Sequence, residues 1–206
     1  MIITETSIQK RARILSYPEY SELVKSCAMK GNTTGESTPE RVAATALNAQ
    51  RMNRIEKQCI VRSDLIAEVM LLKRNYTWMI LAEAWCGDGA QIIPVIARIA
   101  QYNPRIKVQI LLRDENPDVM DQFLTNGGRA IPKLICIDDF TGKVIGTWGP
   151  RPSEIQEKVK QFKTEFPEAS HDEFVKNLHT WYAHDKTTAI QNDFVNLIKS
   201  WNAITK

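Results

Sequence analysis

Residues 77–89 read TWMILAEAWCGDG, and they carry the clearest indication of the fold class. The run at 77–84 is short and almost entirely apolar, which is typical of a strand buried at the centre of a sheet. Residues 91–100 are apolar almost all round, which predicts a helix packed deep against that sheet. Cys86 therefore lies at the junction between a buried strand and a buried helix.

The segments that follow complete a sheet. A second strand is predicted at 106–112 and a short helix at 117–124, and two further strands at 132–137 and 143–149 are separated by a loop of hairpin length. Strands connected through a helix run parallel, whereas hairpin strands run antiparallel. The predicted fold class is α/β, a mixed four-stranded sheet flanked by helices.

The flanks of this core are predicted to be helical. The chain has 206 residues, of which 43% are hydrophobic and 25% charged, and these proportions are ordinary for a globular protein. Apolar residues recur at helical spacing on both sides of the core. We predict a helical N-terminal extension over 1–74, the core over 75–166, and a helical C-terminal extension over 167–206 that packs on the core.

Charge and composition exclude several classes of partner. Residues 1–74 hold 12 basic and 8 acidic side chains, a balance of +4, with clusters at 10–13 and 51–62. A nucleic-acid reader needs a denser basic stripe, so we expect no nucleic-acid partner. No run of 18 apolar residues suggests a membrane span, and the start MIITETSIQK lacks signal-peptide order, so we expect a cytoplasmic protein with no membrane contact.

Cys86 is the residue that points to chemistry. The free N–H groups and the dipole at a helix N-terminus stabilise a thiolate. Asp88, two residues on, disfavours the thiolate by like-charge repulsion, and the two effects are of similar size. The sequence leaves open which of them dominates. We expect the sulfur to be exposed to solvent, as in reactive cysteines.

Several motifs along residues 77–166 occur in the order and at the spacing of a known family. Residues 77–166 resemble the thioredoxin superfamily: Trp85-Cys86-Gly87 matches the start of its W-C-G-P-C motif, and Pro94 matches the proline within its active-site helix. The sequence GRAIP at 128–132 resembles the loop that ends in the cis-proline facing the reactive cysteine, and TGKVIG at 141–146 resembles the final hairpin.

The whole chain resembles a bacterial thioredoxin-like subgroup. The features that carry this are W-C-G-D at 85–88, NGGR at 126–129 and TWGPRP at 147–152. The resemblance implies a thioredoxin-like fold of the shorter, glutaredoxin type, with Cys86 as nucleophile. It implies substrate-binding roles for the residues around that sulfur, namely Trp85, Gly87, Asp88, Arg129, Ile131 and Pro132.

Two departures from the family limit what the resemblance implies. Gly89 stands where the family has its second cysteine, which resolves the mixed disulfide with substrate. Ile80 stands where the family has a buried acid, and Glu83 is nearer to Cys86 in sequence. An external thiol would then have to release the substrate.

Two functions follow from these residues. The first is thiol–disulfide exchange by a single cysteine, Cys86, acting on a protein or small-molecule disulfide, with no cofactor other than an external low-molecular-weight thiol. The alternative is a non-catalytic module that binds an extended peptide beside residues 131–132. A third possibility is an iron–sulfur cluster held by Cys86 and an external thiol. The His residues lack metal-ligand spacing, so no metal site is predicted.

Each candidate residue also has a structural interpretation. Asp88 suits the first turn of a helix, Trp85 suits packing, and Arg129 suits solvent exposure. Cys136 lies in a predicted buried strand, where cysteine acts as a small apolar side chain. Cys27, Cys59 or Cys136 could resolve Cys86 if the fold brings one of them within disulfide reach.

Overall fold

The structure, a computed structural model, describes residues 13–204. The N-terminal residues examined for a signal peptide, and residues 10–12 of the first basic cluster, lie outside this range. Three helices precede the sheet: α1 (Tyr17–Lys30), α2 (Pro39–Gln58) and α3 (Ser63–Met70). α2 packs against α1 and against the helix that follows the first strand.

The central part alternates strands and helices before it ends in a hairpin. Its elements are β1 (Tyr76–Ala82), α4 (Gly87–Ala100), β2 (Ile106–Leu112), α5 (Pro117–Met120), β3 (Lys133–Asp138) and β4 (Lys143–Trp148). The sheet order is β2-β1-β3-β4, with β1 parallel to β2 and antiparallel to β3, and β4 antiparallel to β3. The predicted mixed four-stranded α/β fold is confirmed.

Helix α4 begins four residues earlier than the hydrophobic pattern predicts. Periodicity suggested a start at Gln91, but the helix begins at Gly87 because Cys86 caps it: the Gly89 N–H donates to the Cys86 sulfur at 3.4 Å. The first turn carries two glycines and an aspartate, so it lacks the apolar residues that mark a buried helix. The cysteine therefore occupies the N-cap position itself.

The sheet separates two apolar clusters. One face of β1 carries Trp78 and Ile80 into the larger cluster, with α4 and the C-terminal helices above it. The opposite face carries Met79 and Leu81 into a smaller cluster. Cys86 belongs to this smaller cluster, which places its sulfur on the side of the sheet away from the bulk of the core.

The C-terminal segment packs directly on the sheet. It forms α6 (Ser153–Glu165), α7 (His171–Asp185) and α8 (Thr188–Ile204). The Phe194 ring of α8 meets Trp78 of β1 edge-on at 5.5 Å between centroids, and meets Trp148 of β4 at 5.4 Å. α8 thereby covers the larger apolar face, and α7 lies beside the start of α4.

Candidate functional site

Cys86 and the loop before β3 meet at one end of the sheet. The Cys86 thiol donates a hydrogen bond to the carbonyl oxygen of Ile131, at 3.4 Å from sulfur to oxygen. The Ile131–Pro132 peptide bond is cis. Residues 45 positions apart in sequence thus form one site, with the sulfur at a helix N-terminus facing the backbone of an extended loop.

The sulfur is not open to solvent, and the expectation of an exposed thiol is wrong. Cys86 is 7% exposed and packs among apolar side chains such as Ile131. Burial, and after it the nearby Asp88 carboxylate, raise the pKa of the Cys86 thiol to about 12, against the opposite effects of the Gly89 N–H and Arg151. Desolvation therefore outweighs the helix dipole, and the thiol of this conformation is protonated at neutral pH.

The loop between α1 and α2 contacts the end of β1, next to the site. The Thr34 hydroxyl donates to the Glu83 carboxylate and accepts the N–H of Ala84 at 2.9 Å. The backbone N–H of Asp114 donates to the other Glu83 oxygen at 2.8 Å. Glu83 is fully buried, and burial raises the pKa of its carboxyl. Glu83 lies three residues before Cys86, and its two carboxylate oxygens accept hydrogen bonds from Thr34 and Asp114.

Asp88 is buried and ion-paired. Arg151 donates to both carboxylate oxygens, from Nε at 2.9 Å and from Nη2 at 2.6 Å, and the Tyr182 hydroxyl donates at 2.8 Å. Burial raises the pKa of Asp88, whereas Arg151 and Tyr182 stabilise its charged form. Asp88 therefore lies in the first turn of a helix, as the structural interpretation of its sequence position predicts. Its carboxylate is bound by Arg151 and Tyr182, which are far away in sequence.

Arg151 is brought to Asp88 by a chain segment that rests on the cis-proline loop. Gly149 has φ 113° and lies against the carbonyl oxygen of Pro132, where a Cβ atom has no room. Glycine is required by both the backbone conformation and the close approach. The segment 149–151 therefore contacts both the cis-proline loop, through Gly149, and the Asp88 carboxylate, through Arg151.

Gly87 contacts the C-terminal helix α7. A Cβ atom at this position would lie 2.8 Å from Nε2 of His179, so a side chain here would displace the His179 imidazole. The other ring nitrogen of His179 lies 3.2 Å from Nε2 of Gln91 on α4. Burial, together with the charges of Arg51, Arg54 and Arg151, lowers the pKa of His179 to about 4. The imidazole of His179 on α7 therefore packs against Gly87 and is neutral at pH 7.

Trp85 lies between two guanidinium groups. Its ring centroid is 4.6 Å from Cζ of Arg41 and 4.9 Å from Cζ of Arg113, a double cation–π contact. Arg113 also donates to the carbonyl oxygen of Arg129 at 3.3 Å. The Arg129 side chain is exposed and pairs with Asp121 at 2.7 and 2.8 Å, so its backbone adjoins the site while its charge faces away.

Comparison with known proteins agrees with this architecture. A sequence model of a family described as Thioredoxin matches residues 35–163, more than half of the chain. The chain belongs to the thioredoxin family. Thioredoxin 1 of Synechococcus elongatus is 41% identical over 56 residues, which is 27% of this chain and 50% of that protein. Thioredoxin 1 of Nostoc sp. is 44% identical over 52 residues, 25% of this chain and 46% of that protein.

The chain thus spans about half the length of the thioredoxins it matches. Among solved structures, a protein of unknown function from Pseudomonas aeruginosa shares the fold with a TM-score of 0.56 at 18% identity, over 90% of this chain and 98% of that chain. An HIV epitope-scaffold has a TM-score of 0.54 at 17% identity over the same shares. At these identities the likeness concerns the fold.

The remaining cysteines of this thioredoxin family member are free. Cys27 on α1 and Cys136 on β3 are buried, and Cys59 at the end of α2 is partly exposed. Within the described range, no group of three or more His, Cys, Asp or Glu side chains is arranged to hold a metal ion. Among the helices of residues 13–204, none is long and apolar enough to cross a membrane.

Sequence reasoning identified the strand–cysteine–helix junction and the 131–132 loop, but it missed the residues that enclose them. Thr34, Tyr182 and His179 come from segments predicted as extensions, and nothing in their local sequence indicates contact with the site. Arg151 had a signal, since it lies in the motif TWGPRP that carries the subgroup resemblance. The opposite charges of Arg151 in TWGPRP and Asp88 in W-C-G-D would have been enough to predict their ion pair.

Proposed function

We propose that this protein carries out thiol–disulfide exchange through Cys86 as a single-cysteine member of the thioredoxin family, with an external low-molecular-weight thiol as resolver. The observation that carries the proposal is the juxtaposition of the Cys86 sulfur, at the N-cap of α4, with the carbonyl oxygen of Ile131 at 3.4 Å. Membership of the thioredoxin family supports a redox role of this general type.

The proposed reaction needs one sulfur from the protein. The Cys86 thiol loses its proton to water or buffer, and the thiolate attacks a substrate disulfide R–S–S–R′. The Cys86–S–S–R bond forms as the S–S bond of the substrate breaks, and R′–S⁻ leaves and takes up a proton. An external thiol R″–SH, as its thiolate, then attacks the R sulfur, so that R–S–S–R″ forms and Cys86 is regenerated. Gly89 offers no sulfur for an internal alternative.

Substrate docking is the proposed trigger for ionisation of the thiol. In the structure the Cys86 thiol is buried and its hydrogen bond is directed to Ile131. An extended substrate that pairs its backbone with Ile131 would compete for this carbonyl oxygen. The thiol would then lose its acceptor and turn toward the substrate disulfide. Trp85, Gly87, Asp88, Arg129, Ile131 and Pro132 are the proposed substrate-binding residues.

The test is turnover of a mixed disulfide between a small thiol and a peptide, with the same small thiol as reductant. We expect turnover by the wild-type chain and its loss, by at least about a hundred-fold, in Cys86→Ser, because the nucleophile is gone. Cys136→Ser and Cys59→Ser are the matched controls and should retain turnover. Equal turnover by wild type and Cys86→Ser would refute the exchange reaction.

A non-catalytic peptide-binding module is the second candidate. It is favoured by the burial of Cys86, which raises the thiol pKa to about 12, and by the glycine at position 89. Such a module would bind an extended peptide by main-chain pairing beside Ile131, with the cysteine as packing. Peptide affinity that is unchanged in Cys86→Ser, with no turnover by the wild-type chain, would favour this function over exchange.

A further inference from the structure

A cavity of about 190 Å³ lies between the end of α2, helix α4 and the turn that joins α7 to α8. We call it the Cys59 cavity, after the free cysteine in its wall. Its apolar lining includes Ile55, Ile92 and Ile190. A cavity needs only about 10–15 Å³ to hold a single water, so this one is large enough for a small organic molecule.

The polar part of the Cys59 cavity carries excess positive charge. Arg54 and Lys186 line it, and Arg51 lies one turn before Arg54 on α2. Within residues 13–204, no carboxylate oxygen lies within 4.0 Å of any of these three cations. Arg54 contacts the side-chain oxygen of Gln91 at 3.2 Å, and Arg51 contacts that of Asn48 at 2.8 Å.

The acidic side chain of the lining, Asp185, can offset only one of these three cations. Asp185 accepts the backbone N–H of Ala189 at 2.9 Å and so caps the start of α8. Burial and the charge of Arg54 lower the pKa of Arg51, against the effect of Asp88, and burial together with the charges of Arg51 and Arg54 lowers the pKa of His179. The neighbourhood therefore favours an anion.

The turn at the rim of the cavity is held in a costly conformation. Lys186 and Thr187 are consecutive non-glycine residues with φ of 48° and 70°. A β-branched residue such as threonine rarely adopts this region, and such strain is concentrated at ligand-binding and active sites. The Thr187 hydroxyl lies 4.0 Å from the Cys59 sulfur, so the strained turn directly borders the thiol.

We propose that the Cys59 cavity binds a small organic anion with an apolar body, of the kind represented by an aromatic carboxylate or sulfonate. The charged group would lie at the Arg54 and Lys186 rim, and the apolar body would pack on Ile55, Ile92 and Ile190. Tyr182 lies between this cavity and Asp88, but Cys86 does not line the cavity, and the proposed binding does not depend on exchange chemistry. It joins elements from the N-terminal, central and C-terminal parts of the chain.

Equilibrium binding of anilinonaphthalene sulfonate, followed by its fluorescence, tests the charge recognition. We expect saturable binding to the folded wild-type chain and binding about ten-fold weaker in the double variant Arg54→Ala, Lys186→Ala, because both cations at the rim are removed. Lys57→Ala, an exposed cation on α2 outside the lining, is the matched control and should bind as wild type. Equal affinity of the double variant and wild type would overturn the proposal.

The location is tested by chemical protection of Cys59 in the Cys86→Ser background. Cys27 and Cys136 are buried, so a neutral aromatic disulfide, dithiodipyridine, should modify Cys59 first, as read by peptide mass. Saturating anilinonaphthalene sulfonate should slow this reaction at least about five-fold, since the probe would cover the thiol. An unchanged rate would overturn the proposed location. Ile190→Trp, checked for folding by circular dichroism, should abolish probe binding by filling the cavity, and retained binding would contradict it.

Discussion

At the scale of single residues, two neighbours of opposite charge act on the Cys86 sulfur. Asp88 raises the pKa of the thiol and Arg151 lowers it. The tyrosines Tyr20 and Tyr182 also face Cys86 from α1 and α7, and burial raises the pKa of both hydroxyls, so they are neutral near pH 7. Asp88 and Arg151 are therefore the charged groups whose electrostatic effects act on the pKa of the Cys86 thiol.

We predict opposite effects for the two halves of this pair. Asp88→Asn should speed alkylation of Cys86 at fixed pH by about three- to ten-fold, because the like charge is removed. Arg151→Gln should slow it by a similar factor, since Asp88 then stands without its countercharge. The measurement is the pH profile of iodoacetamide labelling at Cys86, read by peptide mass.

The double variant and a remote control make this comparison specific. Asp88→Asn combined with Arg151→Gln should return the labelling rate toward that of wild type, because neither charge remains. Arg129→Gln removes an arginine whose charge is already paired with Asp121 away from the sulfur, and it should leave the profile unchanged. If both single variants shifted the rate in the same direction, the charge explanation would be wrong.

The sequence predicted the position of Cys86 but not its environment. A buried strand, a cysteine and a buried helix are local patterns, so the junction could be read from residues 77–100 alone. The surroundings of the sulfur include Tyr20 of α1 and Tyr182 of α7, which lie about 66 residues before and about 96 residues after the cysteine. Local periodicity does not encode such contacts. The predicted exposure of the Cys86 sulfur is therefore wrong, although the predicted order of strands and helices is correct.

At the scale of elements, helix α7 docks on the start of α4 through a neutral histidine. The pKa of His179 is lowered to about 4 from an ordinary value of 6.5. Between these values the unfolded chain binds the proton and the folded chain does not, so the contribution of His179 to stability is present above pH 6.5 and is lost as the pH falls toward 4. We expect this loss to be about 2 kcal/mol, because solvent screens a partly exposed ring.

Urea unfolding between pH 6.5 and pH 4 checks the role of His179. His179→Gln keeps a polar side chain beside Gln91 but cannot take up a proton, so its free energy of unfolding should fall less steeply over this range than that of wild type. His171→Gln alters an exposed histidine at the first position of the same helix and should follow the wild-type curve. Identical pH profiles for wild type and His179→Gln would exclude the histidine as a pH-sensitive contact.

At the scale of the whole molecule, the C-terminal helices and the sheet share one apolar cluster. Phe194 of α8 is fully buried and meets the rings of Trp78 and Trp148, which belong to the first and last strands. Trp201 of the same helix also meets Trp78 edge-on, at 5.9 Å between centroids. A chain packed in this way should unfold as one unit, because α8 cannot leave without exposing the central strand.

Phe194→Ala tests this cooperativity. Removing a fully buried phenyl ring leaves a cavity and should lower the free energy of unfolding by about 3–5 kcal/mol. Phe140→Ala, at a phenylalanine that is 87% exposed, should change it by less than about 0.5 kcal/mol. Tryptophan fluorescence and far-ultraviolet circular dichroism should report the same single urea transition in both variants. Two separate transitions in Phe194→Ala would mean that the C-terminal helices fold independently of the sheet, because the sheet would then keep its structure after α8 had been released.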